Sequence, residues 1–246
     1  MQPALRIQPS GLVAVARTLR EAAAQLGLVD APEHPPLARD QTSVAAAARL
    51  NTSASTLQTA AAQQAAGLVG TAHQFAAIAA AFTEQESLNA SAVRNLASSH
   101  AVTPIDVGDP PPPMPADNAP PIPPPVVLDG ETASRQLHAG SSSAGDAFIQ
   151  RCRAASAAAT TTLAVVLDAL PVLPELWSSP AGVEATTARL AQHAAAIAAV
   201  GARAAALADQ ADSHSRAYRS AVAATPPPEE FETARAQLAA AVRANA

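Results

Sequence analysis

Apolar positions recur along this chain at steps of three and four, the period of one helix face. Between residues 10 and 27, Leu12, Val15, Leu19, Ala22 and Leu26 form such a stripe. Ser10, behind Pro9, is placed to cap this first helix, and Gly27 to end it. Pro32, Pro35 and Pro36 then break the chain. A second, longer helix is predicted over about residues 41–98, with Asp40 or Thr42 as cap. From Leu57, the positions Ala61, Gln64, Leu68, Thr71, Phe75, Ile78 and Phe82 alternate in steps of four and three. This is a heptad seam with two polar interruptions. About 58 helical residues would span about 87 Å, so the helix needs antiparallel partners along its length.

The pattern stops at residue 101. Eleven of the 22 prolines fall within 101–128. Prolines at that density favour extended polyproline II over helix, and a disordered, solvated linker is expected over 101–130. A spacer is the plain reading, and a PxxP-type ligand the alternative. Helical spacing resumes with a short segment, Glu131 to Ala139, ended by Gly140. A longer helix is predicted from Ser143 to Leu170, stopped by Pro171 and Pro174. Residues 175–180 read as a helix–helix turn, with Ser179 as N-cap and Pro180 at the first helical position. A further long helix runs to about Ala224. Pro226, Pro227 and Pro228 force a turn, and Glu229 to Ala244 forms the last helix.

Composition strengthens the helical reading. The chain has 67 alanines among 246 residues and only 2% aromatics. Alanine is the best helix former, whereas sheets need β-branched and aromatic residues. The fold class expected is all-α: an elongated, antiparallel, four-helix-bundle-like arrangement of long helical hairpins. The formal net charge is -5 and the arginines are scattered, which argues against nucleic-acid binding. The longest apolar run, Ala194 to Ala202, is half of the about 20 residues that span a bilayer. The apolar stretch Gly11 to Ala16 is too short for a secretory signal, and Arg17 interrupts it. The chain is therefore expected to be cytoplasmic, or exported folded by a route that reads something else.

Little in the chain points to catalysis. His34, His73, His100, His138, His193 and His214 make no HExxH or comparable ligand pair, so no metal site is expected. Nor is there a Walker loop, a GxGxxG or a GxSxG. The single Cys152, between Arg151 and Arg153, reads as a small packed residue; an arginine-activated thiol is the alternative. No cofactor and no enzymatic activity are expected.

The residues do carry a resemblance. Ile7-Gln8-Pro9, the helix from Leu12 and the stretch Phe82-Thr83-Glu84-Gln85-Glu86-Ser87-Leu88-Asn89-Ala90 resemble a PE domain of the mycobacterial PE and PPE families. Phe82 stands where those domains carry the Tyr of a Tyr-x-x-x-acid element, Glu86 at the acid and Asn89 at the Asn that follows. Trp177 stands at the Trp-x-Gly turn of PPE and WXG proteins, with Gly182 displaced downstream. His193, Ala217-Tyr218, Ala223 to Pro228, Leu238 and Asn245 follow the PPE pattern. Residues 128–140 resemble the short helix that precedes the PPE half. One chain holding both halves resembles the EspB-type substrates of the ESX (type VII) secretion system.

The resemblance implies a PE-like hairpin at 1–100, a Pro-rich linker at 101–130 and a PPE-like hairpin with a C-terminal helix at 131–246, joined in one bundle. It implies a non-enzymatic secreted or envelope-associated structural or interaction protein, cytoplasmic before export; a cytoplasmic adaptor or chaperone of the same system is the alternative. Implied partners are the secretion ATPase and machinery, a secretion chaperone, further copies of the chain and a membrane surface. Trp177, Phe82, Glu86 and Asn89 are the secretion-signal candidates. Val222, Pro226, Pro227 and Phe231 are candidates for a partner-binding tip. Four residues have a plainer reading: Trp177 and Tyr218 as packing residues, Phe82 as the end of the seam, Glu86 as a solvated charge.

Overall fold

A computed structural model describes residues 6–30, 32–95, 112–116, 118–121, 124 and 128–245. Its elements are α1 (Pro9–Gly27), α2 (Gln41–Asn95), α3 (Gly130–His138), α4 (Asp146–Ala169), α5 (Leu173–Leu176), α6 (Pro180–Ala224) and α7 (Pro228–Ala244). Among the described residues the only β-type pairing is an isolated bridge between Ile7 and Trp177. The all-α expectation holds. The chain divides into two compact units. Unit one lies within Met1–Val29, Gln58–Pro115 and Ala155–Ala202; unit two within Asp30–Leu57, Ala116–Ala154 and Arg203–Ala246. Each unit draws residues from both the 1–100 and the 131–246 stretches.

Unit one is cored by small and branched aliphatic side chains. From α1 come Leu12, Ala16, Leu19, Ala22, Ala23 and Leu26. Ala16 is buried and Val15 only half-buried, so the stripe runs one residue off the expected line at that turn. The α2 seam is buried from Ala61 through Ile78 and fades at Phe82, which is half-buried. Its polar members are both satisfied: the Thr71 hydroxyl donates to the Gly67 carbonyl (3.1 Å), and Gln64 meets His193. From α4, the Thr162 hydroxyl donates to the Ala22 carbonyl of α1 at 3.2 Å.

The start of α1 differs from expectation. Pro9, not Ser10, opens the helix, and Gln8 is the N-cap without a side-chain capping bond. Proline's fixed φ suits the first helical position, where its missing N–H is an orphan anyway. Ser179 does cap α6: its hydroxyl accepts from Gly182 N–H at 3.4 Å, and its carbonyl from Val183 N–H at 2.9 Å. Just before that start, Leu173–Leu176 closes as the short helix α5, which admits Pro174 because proline is tolerated in a first turn.

In unit two, α3 is the organising piece. Asp129 caps it by accepting from Thr132 N–H at 2.9 Å. Glu131 pairs with Arg135 one turn on and with Arg235 of α7. Leu37, Ala38 and Tyr218 form a small apolar cluster, with Leu137, Ala144 and Val222 against it. The Tyr218 hydroxyl donates to the Leu137 carbonyl at 2.8 Å, so Tyr218 packs as its plainer reading has it. Cys152 is fully buried, and burial pushes its thiol up to about 11, which leaves it unreactive.

Two described stretches of the Pro-rich segment dock within their own units. In unit one the Gln64 amide donates to the Pro112 carbonyl (3.3 Å), and in unit two Arg49 donates to the Pro120 carbonyl (3.0 Å). Proline-rich backbone has no internal hydrogen bonds, so its carbonyls are free to accept from side chains. The rest of the predicted linker lies largely outside the described residues. Windows of α2 and of Pro180–Ala244 have mean hydropathies of 1.4 and 1.3 and are long enough to cross a bilayer. They pass because alanine fills them; no single run of apolar residues does.

Candidate functional site

Trp177 lies in unit one, in the turn that links α5 to α6. Its backbone is extended, at φ -145 and ψ 118, and pairs with Ile7. Bonds on either side hold that pairing. Ser178 N–H donates to the Arg6 carbonyl (2.9 Å) and Gln8 N–H to the Leu176 carbonyl (2.8 Å). The Arg6 N–H donates to the Ser178 hydroxyl at 2.6 Å, and the Gln8 amide to the Glu175 carbonyl at 3.3 Å. The N-terminal segment is thus stitched to the turn that presents the indole.

The indole itself rests on Gly182. A Cβ at Gly182 would sit 2.4 Å from Trp177 Cζ2 and 2.6 Å from Cη2, closer than real contacts allow. The displaced glycine is therefore the floor under the tryptophan. The first turn of α6 carries it there, because Pro180 starts the helix and Gly182 falls on the side facing the turn. Gly11 of α1 makes room for Leu176 in the same way: a Cβ there would meet Leu176 Cδ2 at 2.3 Å.

Phe82, Glu86 and Asn89 are spaced four and three apart, so they share one face of α2, the face that continues the buried seam. Phe82 is half-buried there, and Glu86 and Asn89 are exposed. Asn89 accepts a hydrogen bond from the Gln85 amide at 2.8 Å. Another side of the same stretch forms a groove with α1, lined by Pro9, Val13, Ala76, Ala80, Thr83 and Leu88 among others. Trp177 and the three α2 residues belong to the same unit, but among the described residues no hydrogen bond, ion pair or ring contact joins them.

The four tip candidates all fall in unit two. Val222 packs on the Leu37 cluster. The Pro226 carbonyl accepts from the buried Ser134 hydroxyl at 2.6 Å, and Pro227 is the N-cap of α7. Phe231 covers Gly130, where a Cβ would be 3.0 Å from its Cε1. Pro226 and Phe231 thus have partners on α3, contacts that sequence spacing does not reveal. Leu238 and Val242, farther along α7, are 66% and 61% exposed, and α7 buries none of its residues.

In the sequence the histidines read as unpaired metal-ligand types, and His193 also as part of the PPE-like pattern; neither reading gives its environment. His193 is fully buried on α6. Its Nδ1 is 3.2 Å from the Gln64 Oε1, and it lies over Gly67, where a Cβ would be 2.5 Å from Cε1. Since the Gln64 amide nitrogen donates to Pro112, its oxygen faces the imidazole, and His193 Nδ1 is the donor. Burial first, and Arg189 second, lower its pKa to about 4, so it is neutral near neutral pH. No group of three or more metal-ligating side chains occurs among the described residues.

No family model and no curated protein matches this chain. Among solved structures, it is similar to the crystal structure of EspB from the ESX-1 type VII secretion system. The TM-score is 0.75 at 20% identity, with 93% of this chain and 81% of that one covered. At that identity the likeness is one of fold, and it extends across both stretches that resemble PE and PPE sequences: this chain adopts the EspB fold.

Proposed function

We propose that the chain is a non-enzymatic substrate of type VII secretion that acts, once exported, as a structural or interaction protein at the envelope or outside the cell. The observation that carries this reading is the shared fold over 93% of the chain. Two local features support it. Trp177 is held at a helix–helix turn by a paired N-terminal segment and floored by Gly182. Phe82, Glu86 and Asn89 occupy one face of the same unit, with the carboxylate exposed to meet a partner. In this reading the 1–100 and 131–246 stretches form one joint bundle, and the secretion ATPase reads the Trp177 turn and the Glu86 face as a two-part signal.

The test is export in a host with the secretion system, comparing strains with and without its ATPase. The protein is expected in the culture filtrate or envelope only when the ATPase is present. Retention in the cytosol of both strains, with a folded protein, would reject export and leave the adaptor reading.

A further inference from the structure

Unit two contains a pair of histidines that the proposed function does not use. His34, in the segment between α1 and α2, is fully buried. Its ring stands edge-on to Phe148 of α4, with centroids 5.1 Å apart and planes at 81°. On another side it faces His214 of α6, at 6.1 Å and 49°. A Cβ on Gly145 would meet its Nε2 at 2.6 Å, so backbone closes over that edge. Among the described residues neither ring nitrogen of His34 has a hydrogen-bond partner, nor does His214 Nε2.

The backbone around His34 is held by neutral bonds. The Asn51 side chain clamps it reciprocally, accepting from His34 N–H (2.7 Å) and donating to its carbonyl (3.1 Å). Three residues on, the Leu37 carbonyl accepts from Ser141 N–H at 2.8 Å. A Cβ on Gly140 would lie 2.0 Å from that carbonyl oxygen, so only glycine allows the approach. Leu37 and Ala38 then plug the cluster around Tyr218.

We propose that His34 and His214 form an acid-sensitive latch: protonation of the facing pair expels the 32–40 segment and uncovers the Leu37–Ala38–Tyr218 cluster. Two imidazolium rings at this separation, with one wholly out of water, repel each other and lose hydration without an acceptor in return.

The charges around the pair set the order of protonation. Burial lowers the His214 pKa, and Asp40, on the segment itself, opposes that lowering, while its own Oδ1 accepts from Ser43 N–H at 2.9 Å. From α2, Arg49 lines the same cleft of about 270 Å³ as His214 and is engaged with the Pro120 carbonyl; Asn51 is neutral. From α6, Gln210 and the Tyr218 phenol are neutral, the phenol being held protonated by burial and then by Asp40. From α4 and the turn before it, Phe148 and Gly145 bring no charge. His214, partly exposed and near Asp40, takes the first proton. His34 then titrates against both its burial and the charged His214, and its pKa is lowered for those reasons in that order.

The experiment is amide exchange on the full chain at about pH 7.5 and about pH 5, each rate divided by its intrinsic value. Peptides within 32–57 are expected to lose about tenfold more protection at the lower pH than peptides within 60–79 of unit one, in the parent and also in His193→Gln, which removes unit one's own acid-sensitive histidine. In His214→Gln and in His34→Gln that differential should shrink to within about twofold. An equal loss in both units, or a differential that persists in both variants, would overturn the latch. Should either variant fail to fold, imidazole NMR on the unaltered protein decides. The two rings must titrate below the ordinary histidine range, at the pH where exchange of 32–57 rises. Titration uncoupled from that rise would overturn it.

Discussion

The two units solve the same problem, packing alanine-rich helices, with different interiors. Unit one buries Leu12, Leu19, Leu26, Leu68, Phe75, Leu190 and Ile197, and its buried histidine has a partner in Gln64. Unit two buries fewer large aliphatics; its core includes His34, Ser134 and Tyr218 at 6% exposure or less, with His34 unpartnered. Alanine offers little apolar surface per residue, so stability then depends on the few large side chains and on satisfied polar groups. Unit one has more of the former, and unit two depends more on the latter. The difference predicts how each unit fails: unit one by losing a large side chain or by charging its buried histidine, unit two by losing a hydrogen bond or charging the His34–His214 pair.

The largest effect is expected from Phe75→Ala. Phe75 is 1% exposed at the centre of the α2 seam, and truncating a buried phenylalanine typically costs about 3–5 kcal/mol. Alanine neighbours have short side chains that cannot swing into the cavity. Thermal or urea unfolding followed by circular dichroism should show a loss at the upper end of that range. A loss under about 1 kcal/mol would mean that unit one is not the tightly packed region its burial indicates.

Acid tests the comparison next. His193 has a folded pKa of about 4 against an ordinary value of 6.5. The unfolded state therefore binds the proton first, and stability falls as pH drops from about 6.5 to about 4, then levels off. The full shift corresponds to about 3 kcal/mol. Above about pH 6.5 this contribution is fully present. His193→Gln should flatten the acid limb of a stability–pH curve to that extent. An unchanged limb would assign the whole acid response to the His34–His214 pair and the carboxylates.

Gly182→Ala probes the tryptophan floor. Alanine is favoured over glycine within a helix by about 1 kcal/mol, but the added Cβ would lie 2.4 Å from the Trp177 ring. The ring must tilt outward, at an expected net cost of about 1 kcal/mol once both terms are counted. Trp177 is the sole tryptophan, so its fluorescence reports the site directly. The emission should move to the red; an unchanged spectrum would show that the indole does not rest on Gly182.

What the chain reveals of its own fold follows from which contacts are local. The heptad seam from Leu57 to Ile78, the Leu12–Leu26 stripe and the Ser179–Pro180 helix start all depend on spacing within one helix, and each is legible in the sequence. Ser10 fails as a cap because Pro9 competes for the same turn and has the better φ. Gly182 under Trp177, Gly140 against Leu37 and Ser134 on Pro226 are approaches between distant segments. A glycine or serine in an alanine-rich stretch gives no local signal of such a contact. The His34–His214 pair is invisible in the sequence for the same reason: the two residues lie 180 positions apart and share no motif. The candidate signal is legible as positions; the N-terminal segment that stitches the Trp177 turn in place is not.

The smallest stability effect, and the most direct reading of function, is expected from Glu86→Ala. The residue is exposed on α2 beyond the point where the seam fades. Removing an exposed carboxylate from a helix surface typically changes stability by under about 0.5 kcal/mol, so the melting curve should overlay that of the parent. Export should nevertheless stop if the Glu86 face is half of the signal. Trp177→Ala is the complementary change, but it strips the cover from Gly182 and loosens the turn paired with Ile7, so its loss of export is confounded by loss of packing. Glu86→Gln separates charge from shape at the same position. A folded Glu86→Ala protein exported at the parent level would remove the carboxylate from the signal and leave the Trp177 turn to act alone. Export lost in Glu86→Ala and also in Glu86→Gln would identify the charge itself as the feature that is read.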